Sequence, residues 1–288
     1  MKLQASHYWA AGSVAFSAAF LLCGYEFIRS SSNTLYKAAY GKEKLPVVMA
    51  LMPLGVLAVL AIYGRVLSWL GARRTLFWST LACGAVLAGC TTLVRGGWTV
   101  FTGALYIFRE AYVVLLIEQY WSFLNSSLGE KEARKLNGPV TGIASVGGIL
   151  GGLLVQALAE RLGTSAMPFF AAVSLLPAAF LSDLGYARAG EPRPSSEEAG
   201  GARGHLGLKS LRASPVLGLL LTVIVSTQVV STCLDLRFQG MLQDRIPEAD
   251  RQTAFSGGFY AALNAAAAFL QFVAAPLVLS TVPLWTVL

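Results

Sequence analysis

The sequence has little charge: Asp, Glu, Lys and Arg together make up 13% of its 288 residues, whereas apolar residues make up 55%. Soluble domains average about 25% charged residues. This composition excludes an ordinary water-soluble domain and predicts an integral membrane protein, with the lipid bilayer as its immediate surroundings.

Groups that carry most enzyme chemistry are also scarce. The two histidines, His7 and His205, lie outside the apolar stretches, so no histidine base or metal cluster is expected within the membrane. The four cysteines lie inside apolar stretches without a CxxC spacing, which argues against a zinc site and a disulfide framework. We therefore expect neither an enzyme nor a bound cofactor.

Apolar stretches are what the sequence has in abundance. Crossing a hydrocarbon core of about 30 Å takes roughly 20 residues of helix, and eight stretches are long enough. They are apolar on all faces, without the alternation of a lipid-facing strand, so helices rather than a barrel are expected. Their approximate bounds are 9–28, 46–69, 75–94, 98–124, 138–159, 165–186, 214–235 and 254–280.

Basic residues between the stretches predict an orientation. With a cytoplasmic N-terminus, the inside segments hold twelve Lys and Arg residues and the outside segments hold seven, a bias that favours this arrangement. The net charge of +7 therefore belongs mainly to short loops, and no nucleic-acid partner is expected. The expected location is a bacterial cytoplasmic (inner) membrane.

Residues 187–212 interrupt the apolar pattern with Gly, Pro, Ser and charge, which predicts a flexible cytoplasmic linker. Transporter halves often show weak internal similarity, and a shift of 208 residues aligns Arg29 with Arg237 on either side of this linker. Each arginine has an acid just before it, and a polar loop is expected after it.

The fifth apolar stretch repeats small residues at a spacing of four, as in Gly147 with Gly151 and Gly148 with Gly152. Such faces let helix backbones approach closely in lipid. The stretch lacks the lysine and the preceding strand of a phosphate-binding glycine loop. We interpret it as a packing surface.

Two segments carry a family resemblance. The loop YGRVLSWLGARRTLF resembles the basic loop of the major facilitator superfamily, with Ser68 and Trp69 where an acid and a base are usual. The matching residues are Gly64, Arg65, Gly71, Arg73 and Arg74. The segment EQYWSFLNSSLGEKEARKLNGPVTGIASVGG is similar to the run after the fourth helix of bacterial and plastid ATP/ADP translocases, through Trp121, Asn125, Glu132, Ala133 and Arg134.

The resemblance implies two six-helix bundles in tandem. The expected fold is an all-α polytopic membrane protein with a six-helix N-terminal bundle (1–186), the linker (187–212) and a partial C-terminal bundle (213–288). Twelve helices are implied, whereas the sequence ends in an apolar run at Leu288. We expect either a C-terminally truncated form or a product of eight to nine helices.

Charges inside the apolar stretches are the candidate binding groups, because a buried charge in lipid is costly and usually faces a cavity or a partner. Arg29 lies three residues after Glu26 and can pair with it. It either extends to the membrane surface with Glu26 as its counter-ion or faces a cavity. Asp235 and Arg237 have the same two interpretations.

Arg109 lies near the middle of the fourth stretch. It either lines a transport cavity with Glu110 or a neighbouring helix as its partner, or forms a purely structural pair. Glu118 and Tyr120 belong to a polar patch nearer the cytoplasmic end, with a gating role or simple exposure to water as alternatives.

Guanidinium groups suit anions because they stay protonated and offer a planar fork of donors. We therefore expect a membrane transporter that moves a small anionic solute by alternating access, with nucleotide exchange as one version and no obligate protein partner. The alternative is a non-transporting scaffold or an inactive truncated transporter. The candidate solute-binding residues are Arg29, Arg109, Glu118, Tyr120, Asn125, Asp235 and Arg237.

Overall fold

The structure is a computed structural model that describes residues 5–127, 130–190 and 215–281. Within these ranges, the side chains of 5–7, 111, 115–116, 118–119, 121–127, 130–135 and 279–281 lie outside the described part. Of the described residues, 96% are helical and none lies in a strand. Six described helical stretches are long and apolar enough to cross a membrane. The prediction of an all-α membrane protein is confirmed.

Helices correspond to all eight predicted apolar stretches. Their bounds are α1 Ala5–Tyr40, α2 Leu45–Arg95, α3 Val100–Ser127, α4 Glu130–Leu162, α5 Met167–Ala189, α6 Pro215–Arg245 and α7 Ala249–Phe269, which continues through a π-helical turn, Leu270–Ala274, into α8, Ala275–Thr281. The 3₁₀ turns Lys42–Lys44 and Thr164–Ala166 join α1 to α2 and α4 to α5. Most of the predicted linker, from residue 191 onward, lies outside the described residues.

The second and third stretches form one long helical run, α2, which breaks at Gly71. The φ of Gly71 is 76°, a left-handed conformation that glycine adopts without a Cβ clash. Just after the break, Arg73 forms a two-pronged ion pair with Asp183 of α5, at 2.6 and 3.0 Å. Both side chains are 38% exposed, so this pair adds at most about 1 kcal/mol to stability. The segment that was expected to be a basic loop is helical on both sides of Gly71, and this pair holds it against α5.

Three predicted boundaries differ from the structure, and in each case the helix is longer than expected. The polar loops expected after Arg29 and Arg237 are helical, because α1 runs on to Tyr40 and α6 runs on to Arg245. Arg29 therefore lies inside a helix of 36 residues rather than at its end. Helix α5 also extends three residues into the predicted linker, which was expected to begin at residue 187, since the helix ends at Ala189.

Helix α1 is at the centre of the packing. It lies against α3, α4, α5 and α7, while α2 packs on α3 and α5. Helix α4 packs extensively on α7 and thereby joins the part of the chain before the linker to the part after it. Helix α6 is mostly exposed, with Gln239 and Leu242 as its buried residues.

Polar contacts tie the two parts together at one end, which we call the far end, where α1 and α4 finish and α7 begins. Lys42 pairs with Asp244 of α6. The buried Thr164 donates from its backbone N and from Oγ1 to Oδ1 of Asp250, at 2.6 and 2.7 Å. These contacts hold the start of α7 against the turn between α4 and α5.

The small residues of α4 are a packing surface, as predicted. A Cβ built on Gly147 or Gly151 would lie within 2.5 Å of a backbone oxygen of α1, and one on Gly152 would lie 2.6 Å from the oxygen of Gly257 in α7. The absence of side chains thus brings α4 into backbone contact with two helices at once.

We predict that Gly152→Ala lowers the stability of the protein by roughly 1–3 kcal/mol, the usual cost of overpacking. Gly138→Ala on the same helix is the matched control, because a Cβ there meets nothing within 4 Å. Thermal unfolding of both variants in detergent measures the difference. Equal stability of the two variants would contradict the tight contact between α4 and α7.

Candidate functional site

The second half of α1 carries a run of buried polar side chains. Ser30, Ser31, Ser32, Asn33, Thr34 and Lys37 are each at most 2% exposed. Hydroxyl groups in a helix can donate to the carbonyl one turn earlier, as Ser31 does to Phe27 at 2.6 Å and Thr34 does to Ser30 at 3.3 Å. The helix therefore continues through a polar sequence, while its remaining polar atoms face neighbouring helices.

Arg109 of α3 satisfies much of this polar surface. Its Nη1 donates to Asn33 Oδ1 at 2.6 Å, to Ser32 Oγ at 3.1 Å and to the Arg29 carbonyl at 3.3 Å. Its guanidinium carbon lies 4.0 Å from the centre of the Tyr106 ring. The contacts come from α1 and α3 only, so Arg109 joins two helices within the first part of the chain.

Glu110 neutralises Arg109. Its Oε1 accepts from Arg109 Nε at 3.1 Å and from the hydroxyl of Tyr25 at 3.0 Å. The Arg109 side chain is 4% exposed and that of Glu110 is 27% exposed. Of the two partners expected for Arg109, Glu110 and a neighbouring helix, the structure shows contacts with both, and Glu110 is the more exposed member of the ion pair.

Arg29 has a different environment. Its guanidinium carbon lies 3.7 Å from the centre of the Tyr260 ring of α7, and its Nη1 lies 4.0 Å from Glu26 Oε1. It donates no hydrogen bond to any described residue, and its side chain is 28% exposed. A planar fork of donors is thus left uncommitted beside a cavity.

Arg29 also lies deep in the bundle. Tyr40, the last residue of α1, is eleven residues further on, or about 17 Å at 1.5 Å per residue. Arg109 is nine residues after the start of α3 at Val100, or about 14 Å. Both distances are near half of the roughly 30 Å hydrocarbon core. The interpretation of Arg29 as a residue that extends to the surface is therefore not favoured.

The part of the chain after the linker contributes the remaining polar groups. The Tyr260 hydroxyl accepts from Gln239 Nε2 at 3.2 Å and lies 3.5 Å from Asp235 Oδ1. Gln239 in turn accepts from the buried Lys37 of α1 at 2.9 Å. A continuous polar path thus runs from Arg29 through Tyr260 and Gln239 to Lys37, nearer the far end.

Arg29 opens onto a cavity of about 180 Å³ between α1, α4 and α7. Its walls carry Tyr25 and Glu26 from α1, Ser145 and Gly148 from α4, and Asn264 with Gln271 from the α7 side. Asn264 Nδ2 donates to Glu26 Oε1 at 2.9 Å. Because the walls come from both parts of the chain, a bound solute would contact both.

A larger depression of about 870 Å³ lies at the far end, beside the turn between α6 and α7. Its charged residues, among them Glu160, Arg161 and Arg251, are exposed. Exposed charges on a surface are already solvated and indicate no particular ligand. The smaller cavity is therefore the better candidate site.

The structure brings together three of the predicted site residues and separates others. Arg29 and Arg109 are adjacent, and Asp235 reaches them through Tyr260. Arg237 is exposed and takes no part in the described contacts of this group. Arg109 does not line the cavity, so its contacts fit the structural-pair alternative. Tyr120 is buried, and the side chains of Glu118 and Asn125 lie outside the described residues.

Sequence reasoning missed Lys37, Gln239, Tyr260, Asn264 and Gln271. A signal existed for the last three: they are polar residues in an apolar stretch, at spacings of four and seven that share one helical face. Lys37 and Gln239 gave no such signal, since both lie in segments that were expected to be polar loops.

No family model, no curated protein and no solved structure matches this chain. The resemblance to the major facilitator superfamily therefore stays a prediction from the residues that carry it.

Removing the acid beside Arg109 is expected to destabilise the fold. Glu110→Gln leaves a buried guanidinium without its counter-ion, which costs about 3–5 kcal/mol in a fully buried pair. Because Glu110 is 27% exposed, we expect roughly 2–3 kcal/mol. The control is Glu248→Gln, whose pair with Arg251 is about two-thirds exposed. Chemical or thermal unfolding in detergent measures both changes, and a Glu110→Gln effect as small as the control would contradict the assigned pairing.

Proposed function

We propose that this chain is a membrane transporter for a small solute that carries an anionic group, and that it works by alternating access. The observation that carries the proposal is the uncommitted guanidinium of Arg29, deep within the bundle and beside a cavity. The guanidinium lies partly against Tyr260, and its donors have no acceptor among the described residues. An anionic ligand would supply the missing acceptor through charge-assisted hydrogen bonds.

The position of the cavity supports movement of the two parts of the chain. Its walls belong to α1 and α4 on one side and to α7 on the other. A ligand with different contacts in two arrangements of these helices shifts the population between them. At the backbone contact between Gly152 and Gly257, no side chains project between α4 and α7, so the two helices can move relative to each other there.

The resemblance to the major facilitator superfamily adds a reason to expect this cycle, and its ATP/ADP translocase branch makes nucleotide exchange one version to test. Under the proposal, the protein spans a bacterial inner membrane with its N-terminus in the cytoplasm, as the distribution of basic residues favours.

A membrane scaffold without transport activity is the alternative. The observation in its favour is α6, whose apolar residues are largely exposed and which buries little against the other described helices. A folded protein that moves none of the solutes below would support this alternative.

The test is uptake of labelled phosphate, glutamate, ADP and ATP by proteoliposomes containing the full chain. Arg29→Gln should lower uptake of the accepted solute about ten- to hundred-fold, because a hydrogen bond to a charged group contributes about 1.5–3 kcal/mol. Arg29→Lys should recover only part of the activity, since an ammonium lacks the planar fork.

Arg251→Gln is the matched control, because this arginine is 65% exposed and does not line the cavity. Its uptake should stay within about two-fold of the unmodified protein. Normal uptake by Arg29→Gln would rule out the proposed role of Arg29.

A further inference from the structure

Beside Arg29, one carboxylate oxygen of Glu26 has no hydrogen-bond donor. Glu26 is 3% exposed, and its Oε1 accepts from Asn264. Its Oε2 is buried and has no hydrogen-bond partner. Arg29 does not donate to Oε2, since the contact between the two side chains joins Arg29 Nη1 to Oε1, at 4.0 Å. Two charged residues thus line the cavity and lack opposite partners: the guanidinium of Arg29 has no acceptor, and the buried Oε2 of Glu26 has no donor.

A buried acceptor of this kind is normally hydrogen-bonded in native structures. Leaving one unsatisfied costs more when the group is charged. A simple anion would accept hydrogen bonds from Arg29, but its negative charge would then lie next to the carboxylate of Glu26, which is unfavourable. A solute with both an anionic group and a protonated donor would accept hydrogen bonds from Arg29 and donate one to Glu26.

The cavity volume limits the size of such a solute. At about 180 Å³, it is smaller than the roughly 300–1,000 Å³ of sites that enclose drug-sized ligands. The cavity walls also carry the hydroxyl of Ser145 and the amide of Gln271. A compact polar solute fits this space, whereas a nucleotide is too large to be enclosed in it.

We infer that the cavity between α1, α4 and α7 binds a small ampholyte, with its anionic group on Arg29 and a protonated amino group on Glu26. This inference rests on the proposed transport function and names the substrate class for the same site. The recognition is reciprocal: Glu26 discriminates against plain anions, and Arg29 discriminates against plain amines.

Pairs of solutes that differ only in the amino group test the inference. The probes are glycine with acetate, β-alanine with propionate, taurine with ethanesulfonate, and glutamate with glutarate, with ADP added as a nucleotide. Binding to the full chain in detergent is measured by calorimetry, and uptake is measured in proteoliposomes. In at least one pair, we expect the amino member to bind about ten-fold more tightly, the effect of one charge-assisted hydrogen bond.

Variants assign the two contacts. Glu26→Gln should reduce the preference within that pair to about two-fold or less while the plain anion still binds, because the amide no longer repels it. Arg29→Gln should weaken both members about ten-fold or more. Glu248→Gln, which changes an exposed acid, should leave the preference unchanged.

The outcomes separate the inference from the proposed function. If acetate, phosphate or ADP is transported as well as or better than every amino-containing probe, the inference is wrong and anion transport stands. An unchanged preference in Glu26→Gln also overturns it. If no probe binds and none is transported, both the inference and the proposed function fail. Should Glu26→Gln not fold, the comparison of paired solutes in the unmodified protein decides the matter by itself.

Discussion

The contacts of the Arg109 guanidinium determine how the centre of the bundle is arranged. A charge with 4% exposure needs acceptors from its neighbours, and Nη1 finds three of them on α1, at Arg29, Ser32 and Asn33. The polar run of α1 in turn needs a donor, because lipid offers none. Neither helix can bury its polar side without the other. This mutual requirement sets both the register and the rotation of α1 against α3.

The same arrangement divides the polar residues of α1 between two sides. The side that faces α3 is occupied by Arg109. The side that faces α4 and α7 carries Glu26 and Arg29, whose charged groups are only partly matched by Asn264 and Tyr260. The contacts with α3 and the cavity thus lie on different sides of one helix. The close contact of α4 with α1 and α7 through small residues encloses the second side.

Much of the fold could be predicted from the sequence because lipid imposes a strong rule: an apolar stretch of sufficient length has to be helical. The break at Gly71 was visible as a gap between two such stretches. The true end of α1 at Tyr40 was not visible, since Ser, Thr and Asn are poor helix formers and usually mark loops. Tertiary contacts, above all with Arg109, keep that segment helical. The local sequence pattern gives no information about such contacts.

The candidate site shows the same limit. The charged residues Glu26, Arg29 and Arg109 stood out because charge is rare in apolar stretches. Which of them is uncommitted depends on packing between helices. The burial of Lys37 depends on such packing too, because its hydrogen-bond partner Gln239 is 202 positions away in the sequence. The internal similarity placed Arg237 in the same role as Arg29, but the exposed position of Arg237 shows that the two halves do not repeat the surroundings of these arginines.

The balance of charge around the cavity favours a solute without net charge. Arg29 and Glu26 line the cavity, and the polar contacts behind them add two cations, Lys37 and Arg109, and two acids, Glu110 and Asp235. Such a group is close to neutral before a ligand binds, and an added anion would leave one negative charge uncompensated in a medium of low dielectric constant. An ampholyte adds one charge of each sign and keeps the balance. Under the proposal, the positions of Arg29 and Glu26 would determine which end of the solute points toward which residue, so that its orientation as well as its charge would be selected.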